Sequence, residues 1–145
     1  MQIRRILAAL LIIFIIFFGK VSAPVTLQAA PEEAGLTRVF TTYYIENGQP
    51  CKSGIYPREG ICAGKEEWLG KTCLIYADEG GRNGPLLKIC EVMDTGFGGD
   101  SDGDGIGTIQ EGRTIDVYFE TKEEGQEWME LTGGHVWIQI IDAEG

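Results

Sequence analysis

The chain has 145 residues and a formal net charge of −10, from 22 acidic and 12 basic side chains. Nucleic acids and anionic membrane surfaces are polyanions, so this excess of negative charge argues against both as partners. A neutral polymer, a cation or a basic protein fits the charge better.

The N-terminus has the three parts of a secretory signal peptide in order. Arg4 and Arg5 are followed by an apolar run over residues 6–18 and by the small-residue pattern Val21-Ser22-Ala23. This order predicts export and cleavage after Ala23. An uncleaved membrane anchor is the alternative, although a run of about 13 residues is short against the roughly 20 that span a bilayer.

The rest of the chain divides into a short linker and one domain. Residues 24–36 are rich in Ala, Pro and Glu and have no periodic apolar pattern, which predicts a linker. Residues 37–145 are enough for a single domain with its own core. Without residues 1–23 the chain keeps 9 basic and all 22 acidic residues, a net charge near −13.

Most of this domain predicts β-structure. Runs rich in β-branched and aromatic residues lie at 37–44, 71–76, 86–93, 114–119 and 135–141. The turn cluster 79–84 predicts a hairpin between the second and third runs. One helix begins at Thr121, with Glu124 completing a capping box, and ends at Gly133. Trp128 and Leu131 are three residues apart and are therefore expected to share one face of the helix. The pattern favours a small β-barrel with one short helix.

Four cysteines lie at positions 51, 62, 73 and 90. An even number in an exported chain predicts two disulfides. Cys73 and Cys90 fall on the two strands of the predicted hairpin and are the favoured bridge, which leaves Cys51 with Cys62. Buried free thiols are the alternative, and the spacing fits no zinc site.

Two aspartates stand out because they occur in apolar strand contexts. Asp94 ends an apolar run before a glycine-rich turn, and Asp116 interrupts the strand Ile115-Asp116-Val117. A carboxylic acid beside apolar walls has a raised pKa and can serve as a general acid. The alternatives are structural: Asp94 caps a turn, and Asp116 faces solvent.

These two motifs resemble the 3D domain family, named for three aspartates. Asp94-Thr95-Gly96 and the later Ile115-Asp116-Val117-Tyr118-Phe119 are similar to its aspartate motifs. Shorter upstream pieces resemble its first half, and the closing strand resembles its last; the resemblance covers about residues 40–141. The upstream pieces are Ser53-Gly54, Pro57-Arg58-Glu59-Gly60 and Leu69-Gly70-Lys71, and the closing strand is His135-Val136-Trp137-Ile138.

The resemblance implies a double-psi β-barrel similar to the catalytic barrel of membrane-bound lytic transglycosylase A. It further implies action on peptidoglycan, with Asp116 as the acid/base and Asp94 as its neighbour. The chain departs from the family in having no aspartate between Gly54 and Leu69. Whether Glu66 or Glu67 takes the place of that aspartate stays open.

The loop between the two aspartates is longer than in the family and has the spacing of a calcium loop. Asp100, Asp102, Asp104 and Glu111 occupy positions 1, 3, 5 and 12, with glycine at 6 and the Ile106 carbonyl at 7. This spacing predicts a Ca²⁺ site, and the alternative is a solvated acidic turn.

The sequence therefore predicts a secreted, cell-wall protein that acts on peptidoglycan glycan strands, with no organic cofactor. The competing hypothesis is a non-catalytic polysaccharide-binding or calcium-stabilised module. Trp68, Tyr43 and Tyr44 are candidates for stacking on sugar rings, or else for the core. His135, the only histidine, is expected to be a packed or exposed strand residue rather than a catalytic one.

Overall fold

The fold was obtained as a computed structural model, which describes residues 35–143. The predicted signal peptide, residues 1–23, and the predicted linker up to residue 34 lie outside this range. Within it, no helix is both long and apolar enough to cross a membrane.

Six strands form a closed barrel. They are β1 (Leu36–Tyr44), β2 (Ile61–Ala63), β3 (Thr72–Asp78), β4 (Asn83–Asp94), β5 (Thr114–Tyr118) and β6 (His135–Ile141). Their order around the barrel is β1-β5-β2-β4-β3-β6, and β6 pairs with β1 to close it. The pairs β1–β5 and β2–β4 are parallel, and the other four are antiparallel. The prediction of a small, mainly β barrel is confirmed.

The barrel interior is filled by alternate strand residues. Ile75, Val92, Ile115, Val117 and Val136 have no exposed surface. This follows from the two-residue period of a strand, which sends successive side chains to opposite faces. A second, smaller cluster lies on the outer face, where segment 45–60 covers the wall; it contains Cys51, Ile61 and Tyr118, with Tyr44, Ile55 and Met93 packed against it.

The one α-helix among the described residues is α1 (Lys122–Thr132), and its boundaries follow the predicted signals. Thr121 Oγ1 accepts a hydrogen bond from Glu124 N at 3.3 Å, and Thr121 N donates to the Glu124 carboxylate at 3.1 Å. Gly133 ends the helix in the left-handed conformation with φ of 60°. The capping box and the glycine stop are therefore confirmed.

The helix docks on the barrel through Trp128. Trp128 is buried, and its Nε1 donates to Thr41 Oγ1 at 3.0 Å. Leu131, three residues further along the helix, is 66% exposed. Trp128 lies against Phe119 and fills the space between helix and barrel, whereas Leu131 extends past the edge of this contact.

The predicted disulfides are absent: all four cysteines are buried free thiols. Cys73 and Cys90 do face each other across β3 and β4, as the hairpin required. Cys62 packs in the same interior cluster, while Cys51 belongs to the outer cluster. The pairing of Cys51 with Cys62 is thus contradicted by their separate clusters. In this fold the thiols act as small apolar side chains that fill the two cores.

Candidate functional site

Asp94 and Asp116 lie in one row across four neighbouring strands. Ala63 of β2 pairs with Asp94 of β4 on one side and with Asp116 of β5 on the other. Thr42 of β1 extends the row, because it pairs with Asp116. With strands about 4.8 Å apart, the backbones of the two aspartates are separated by roughly 10 Å.

Strand alternation and a bulge bring both carboxylates to the outer face of the barrel. Asp116 sits between Ile115 and Val117, which point inward, so its own side chain points outward. The register between β2 and β4 shifts at Cys62 and Ala63, which leaves Met93 as an extra residue. Such a bulge re-aims the side chains that follow it. Asp94 consequently faces the covering segment, where its Oδ1 accepts from Lys52 N at 2.8 Å.

Asp94 also caps a turn, which was the structural alternative considered for it. Its Oδ1 accepts a second hydrogen bond, from Thr95 N at 2.9 Å, at the turn that follows the strand. The two backbone donors fix one carboxylate oxygen. Among the described residues, no hydrogen bond joins Asp94 directly to Asp116.

Asp116 is half-buried, and its pKa is raised above the ordinary aspartate value. Burial is the main cause, because removing water disfavours the charged form. The hydrogen bond from Thr42 Oγ1 to Asp116 Oδ1, 2.7 Å long, acts in the opposite direction, and the negative charge of Asp94 adds a smaller upward contribution. Desolvation therefore contributes more to the raised pKa of Asp116 than repulsion from the like charge of Asp94 does.

Thr42 was not anticipated as a site residue. It is an exposed threonine on a strand, with nothing in its local sequence to distinguish it; only the register of β1 against β5 reveals its role. Because its hydroxyl occupies Oδ1, the other carboxyl oxygen, Oδ2, is the atom left free to carry a proton.

Replacing Thr42 by Val should raise the pKa of Asp116 further, because it removes a hydrogen bond that stabilises the charged carboxylate. Thr42→Ser keeps the hydroxyl and should leave this pKa near its wild-type value. A carboxyl ¹³C NMR titration of both variants measures the effect. An unchanged titration in the Val variant would show that the hydrogen bond does not form in solution.

A cavity of about 440 Å³ adjoins the Asp94 end of the row; we call it the Glu66 cavity. Its lining includes Glu66 and Glu67, from the single 3₁₀ turn at Glu66–Trp68, together with Thr95 and Gly96. The two glutamates considered as replacements for the missing aspartate thus lie beside the residues that follow Asp94. Glu67 is engaged by Lys65 at 2.7 Å, which leaves Glu66 without an ion pair among the described residues.

A second cavity, of about 480 Å³, adjoins the Asp116 end; we call it the Phe40 cavity. Thr42 lines it and links it to Asp116 through the hydrogen bond described above. Neither aspartate lines either cavity itself. Each end of the row therefore adjoins one cavity, through Thr95 at the Asp94 end and through Thr42 at the Asp116 end, and the long loop 95–113 contributes to the walls of both.

The acidic loop holds three of the four predicted calcium ligands together. One carboxylate oxygen each from Asp100, Asp102 and Asp104 lies within 4.8 Å of the others. Backbone N–H groups of the loop support this arrangement, with Gly103 N donating to Asp100 at 2.7 Å and Ile106 N donating to Asp104 at 2.8 Å. Three hard oxygen ligands at this separation fit a divalent cation.

Glu111, the predicted fourth carboxylate, lies outside this group. Its carboxylate accepts a hydrogen bond from Arg113 Nε at 2.7 Å, and Arg113 also reaches Asp102 at 3.4 Å. The opposite charge two residues away supplies Glu111 with a partner inside the loop. Ile106, whose backbone carbonyl is the other predicted ligand, has an exposed side chain.

The aromatic candidates for sugar stacking belong to the packing of the domain. Tyr43 and Trp68 lie against the interior cluster, and Tyr44 lies against the outer one. The Tyr44 hydroxyl is buried without a hydrogen-bond partner, and burial raises its pKa well above the ordinary tyrosine value. Since solvent does not reach that hydroxyl, a bound glycan would not touch it either.

In comparisons with known proteins, no family model matches the chain, and neither a curated protein nor a solved structure matches it. The proposed function therefore rests on the fold and on the row of carboxylates.

Proposed function

We propose that this protein is an exported cell-wall protein of the 3D type that cleaves peptidoglycan glycan strands by a lytic-transglycosylase-like reaction. The observation that carries the proposal is the half-buried Asp116, whose pKa is raised and which lies on one outer face with Asp94, in a row whose two ends each adjoin a cavity. A polymer needs space on both sides of the bond that is cut. The predicted signal peptide supports a site of action outside the cytoplasm.

In this mechanism Asp116 acts first as an acid. Its Oδ2 proton passes to the glycosidic oxygen as the bond from that oxygen to the anomeric carbon breaks. A raised pKa increases the protonated fraction of Asp116 at a given pH, and general acid catalysis requires the protonated form. The negative charge left on Asp116 is then stabilised by the hydrogen bond from Thr42.

Asp116 acts next as a base. It accepts the proton of a hydroxyl on the muramyl residue, and that oxygen forms the new bond to the anomeric carbon. The product is an anhydro-sugar, and Asp116 recovers its proton, so no water is consumed. This use of a single carboxylate in two roles differs from the carboxylate pair of most glycoside hydrolases.

The smaller charge contribution of Asp94 gives it a supporting role. It raises the pKa of Asp116 slightly, and its own oxygen is fixed by backbone donors from Lys52 and Thr95.

The family resemblance and the double-psi assignment belong to this proposal. The closed six-stranded barrel with its two parallel strand pairs supports them.

A direct test incubates the purified protein with isolated peptidoglycan and follows the release of soluble glycan fragments. The proposal requires release by the wild type and not by protein that has been heat-inactivated. Binding of the insoluble polymer without any release would favour the second candidate, a non-catalytic polysaccharide-binding module. The missing aspartate between Gly54 and Leu69 is the observation that favours this second candidate.

The acidic loop adds a separate proposal, that Asp100, Asp102 and Asp104 bind Ca²⁺. The convergence of the three carboxylates supports it. A cation there would hold a loop that contributes residues to the walls of both cavities, and would thereby steady the walls of the site.

A further inference from the structure

The Phe40 cavity is lined by residues from several parts of the domain. It lies between β1, the loop 95–113, the first residue of β5 and the C-terminal end of α1. Phe40 and Thr42 come from β1, Thr108 from the loop and Thr114 from β5. Gly133 and Gly134 add backbone without side chains, which leaves the space at the helix end open.

Hydroxyl groups are concentrated in this cavity. The buried polar side chains of the described core are Thr41, Thr108 and Thr114, and all three line it. Thr41 is used by the indole of Trp128. Buried hydroxyls normally have hydrogen-bond partners. The hydroxyls of Thr108 and Thr114 offer both donors and acceptors to a ligand in the cavity. The Ser101 hydroxyl oxygen already accepts from Arg113 at 3.1 Å, and its O–H remains as a donor.

An exposed aromatic ring borders the same space. Phe40 is 50% exposed, and its ring centroid lies 4.8 Å from that of His135, its cross-strand partner. A binding site that combines an apolar face with a few placed polar groups suits a ligand of the same character. A pyranose ring is such a ligand, because its C–H face is apolar and its edge carries hydroxyls.

We propose that the Phe40 cavity binds one pyranose ring of a glycan strand, with the ring stacked on Phe40 and its hydroxyls bonded to Thr108 and Thr114. Through Thr42 this ring lies next to Asp116 and so beside the bond to be cleaved. The placement beside a scissile bond rests on the proposed function, whereas sugar binding in the cavity does not. The Glu66 cavity then receives the strand on the other side of the row.

The test measures binding without cleavage. Asp116→Asn protein is titrated with a soluble oligomer of N-acetylglucosamine, and amide shifts are followed by NMR. We expect shifts at Gly133, Gly134 and Thr114. In this background Phe40→Ala should weaken binding at least tenfold, and Thr114→Val, which keeps the shape but removes one hydroxyl, about three- to tenfold. Tyr56→Ala, which removes another exposed aromatic ring outside the cavity, should leave affinity unchanged.

The outcomes separate this inference from the proposed function. Binding in the cavity by a protein whose wild type releases no fragments supports the sugar site and removes the cleavage proposal. Fragment release by the wild type, with no shifts at the cavity or with unchanged affinity in Phe40→Ala, overturns the sugar site alone. Failure of the oligomer to bind anywhere on the protein also overturns it.

Discussion

Asp116→Asn should lower the rate of glycan release by about 10²–10⁴-fold, the usual contribution of a general acid–base group. Asparagine keeps the size of the side chain and can still accept the Thr42 hydrogen bond, but it has no proton to give at the glycosidic oxygen. Initial rates of fragment release from peptidoglycan measure the effect. Asp142→Asn, which makes the same chemical change at an exposed position, is the matched control and should retain full activity.

The same substitution should not destabilise the fold. Because the pKa of Asp116 is raised in the folded state, the folded protein holds its proton to higher pH than the unfolded chain does. The free energy of unfolding therefore falls as pH rises from the ordinary aspartate pKa through the raised pKa of Asp116. Above the raised pKa, the folded protein carries the whole cost of holding the charged carboxylate in a half-buried position. Asparagine carries no charge and removes this penalty. At neutral pH the variant should melt at the wild-type temperature or slightly above it; a large drop would mean that lost activity reflects unfolding.

Calcium should raise the melting temperature of the protein, and a chelator should lower it. Without a cation, the three converging carboxylates repel one another in a chain already strongly negative. A ligand that binds only the folded state adds stability of RT ln(1 + [L]/Kd), roughly 2.7 kcal/mol at a hundred times Kd. Weak extracellular sites with Kd of about 10⁻⁴–10⁻³ M are common, so millimolar calcium is the concentration to use.

Variants identify the loop as the source of this effect. Asp102→Ala removes one member of the triad and should abolish the calcium dependence. Asp142→Asn reduces the net charge without touching the loop and should preserve it. Magnesium should substitute poorly, because it gives up its water ligands reluctantly. Equal melting temperatures in calcium and in chelator would leave the loop as an acidic turn held by its own backbone hydrogen bonds.

Local signals were enough for most of the fold. Five of the six strands were predicted from β-branched and aromatic runs, and the helix from its capping box and terminal glycine. Strand β2 was missed. It has only three residues, all buried, and its partners β4 and β5 lie about 30 or more residues further along the chain. No local pattern distinguishes so short a strand, because long-range pairing alone defines it.

The same limit applies to the site. Strand β2 brings Asp94 and Asp116 into one row, because Ala63 pairs with both of them. Thr42 joins the row through a register between β1 and β5 that sequence spacing does not reveal. The disulfide prediction failed for a related reason. The number of cysteines does not reveal that Cys62, Cys73 and Cys90 share one core while Cys51 lies in the other.

The most direct measurement is mass spectrometry of the soluble products released from peptidoglycan by the wild-type protein. The account predicts fragments that end in anhydro-muramyl residues, with a mass lower by one water than the corresponding reducing-end fragments. It also predicts that Asp116→Asn yields almost none of them. Fragments with ordinary reducing ends would show that water attacks instead. No wild-type fragments at all, from folded protein that still binds the polymer, would contradict the account outright.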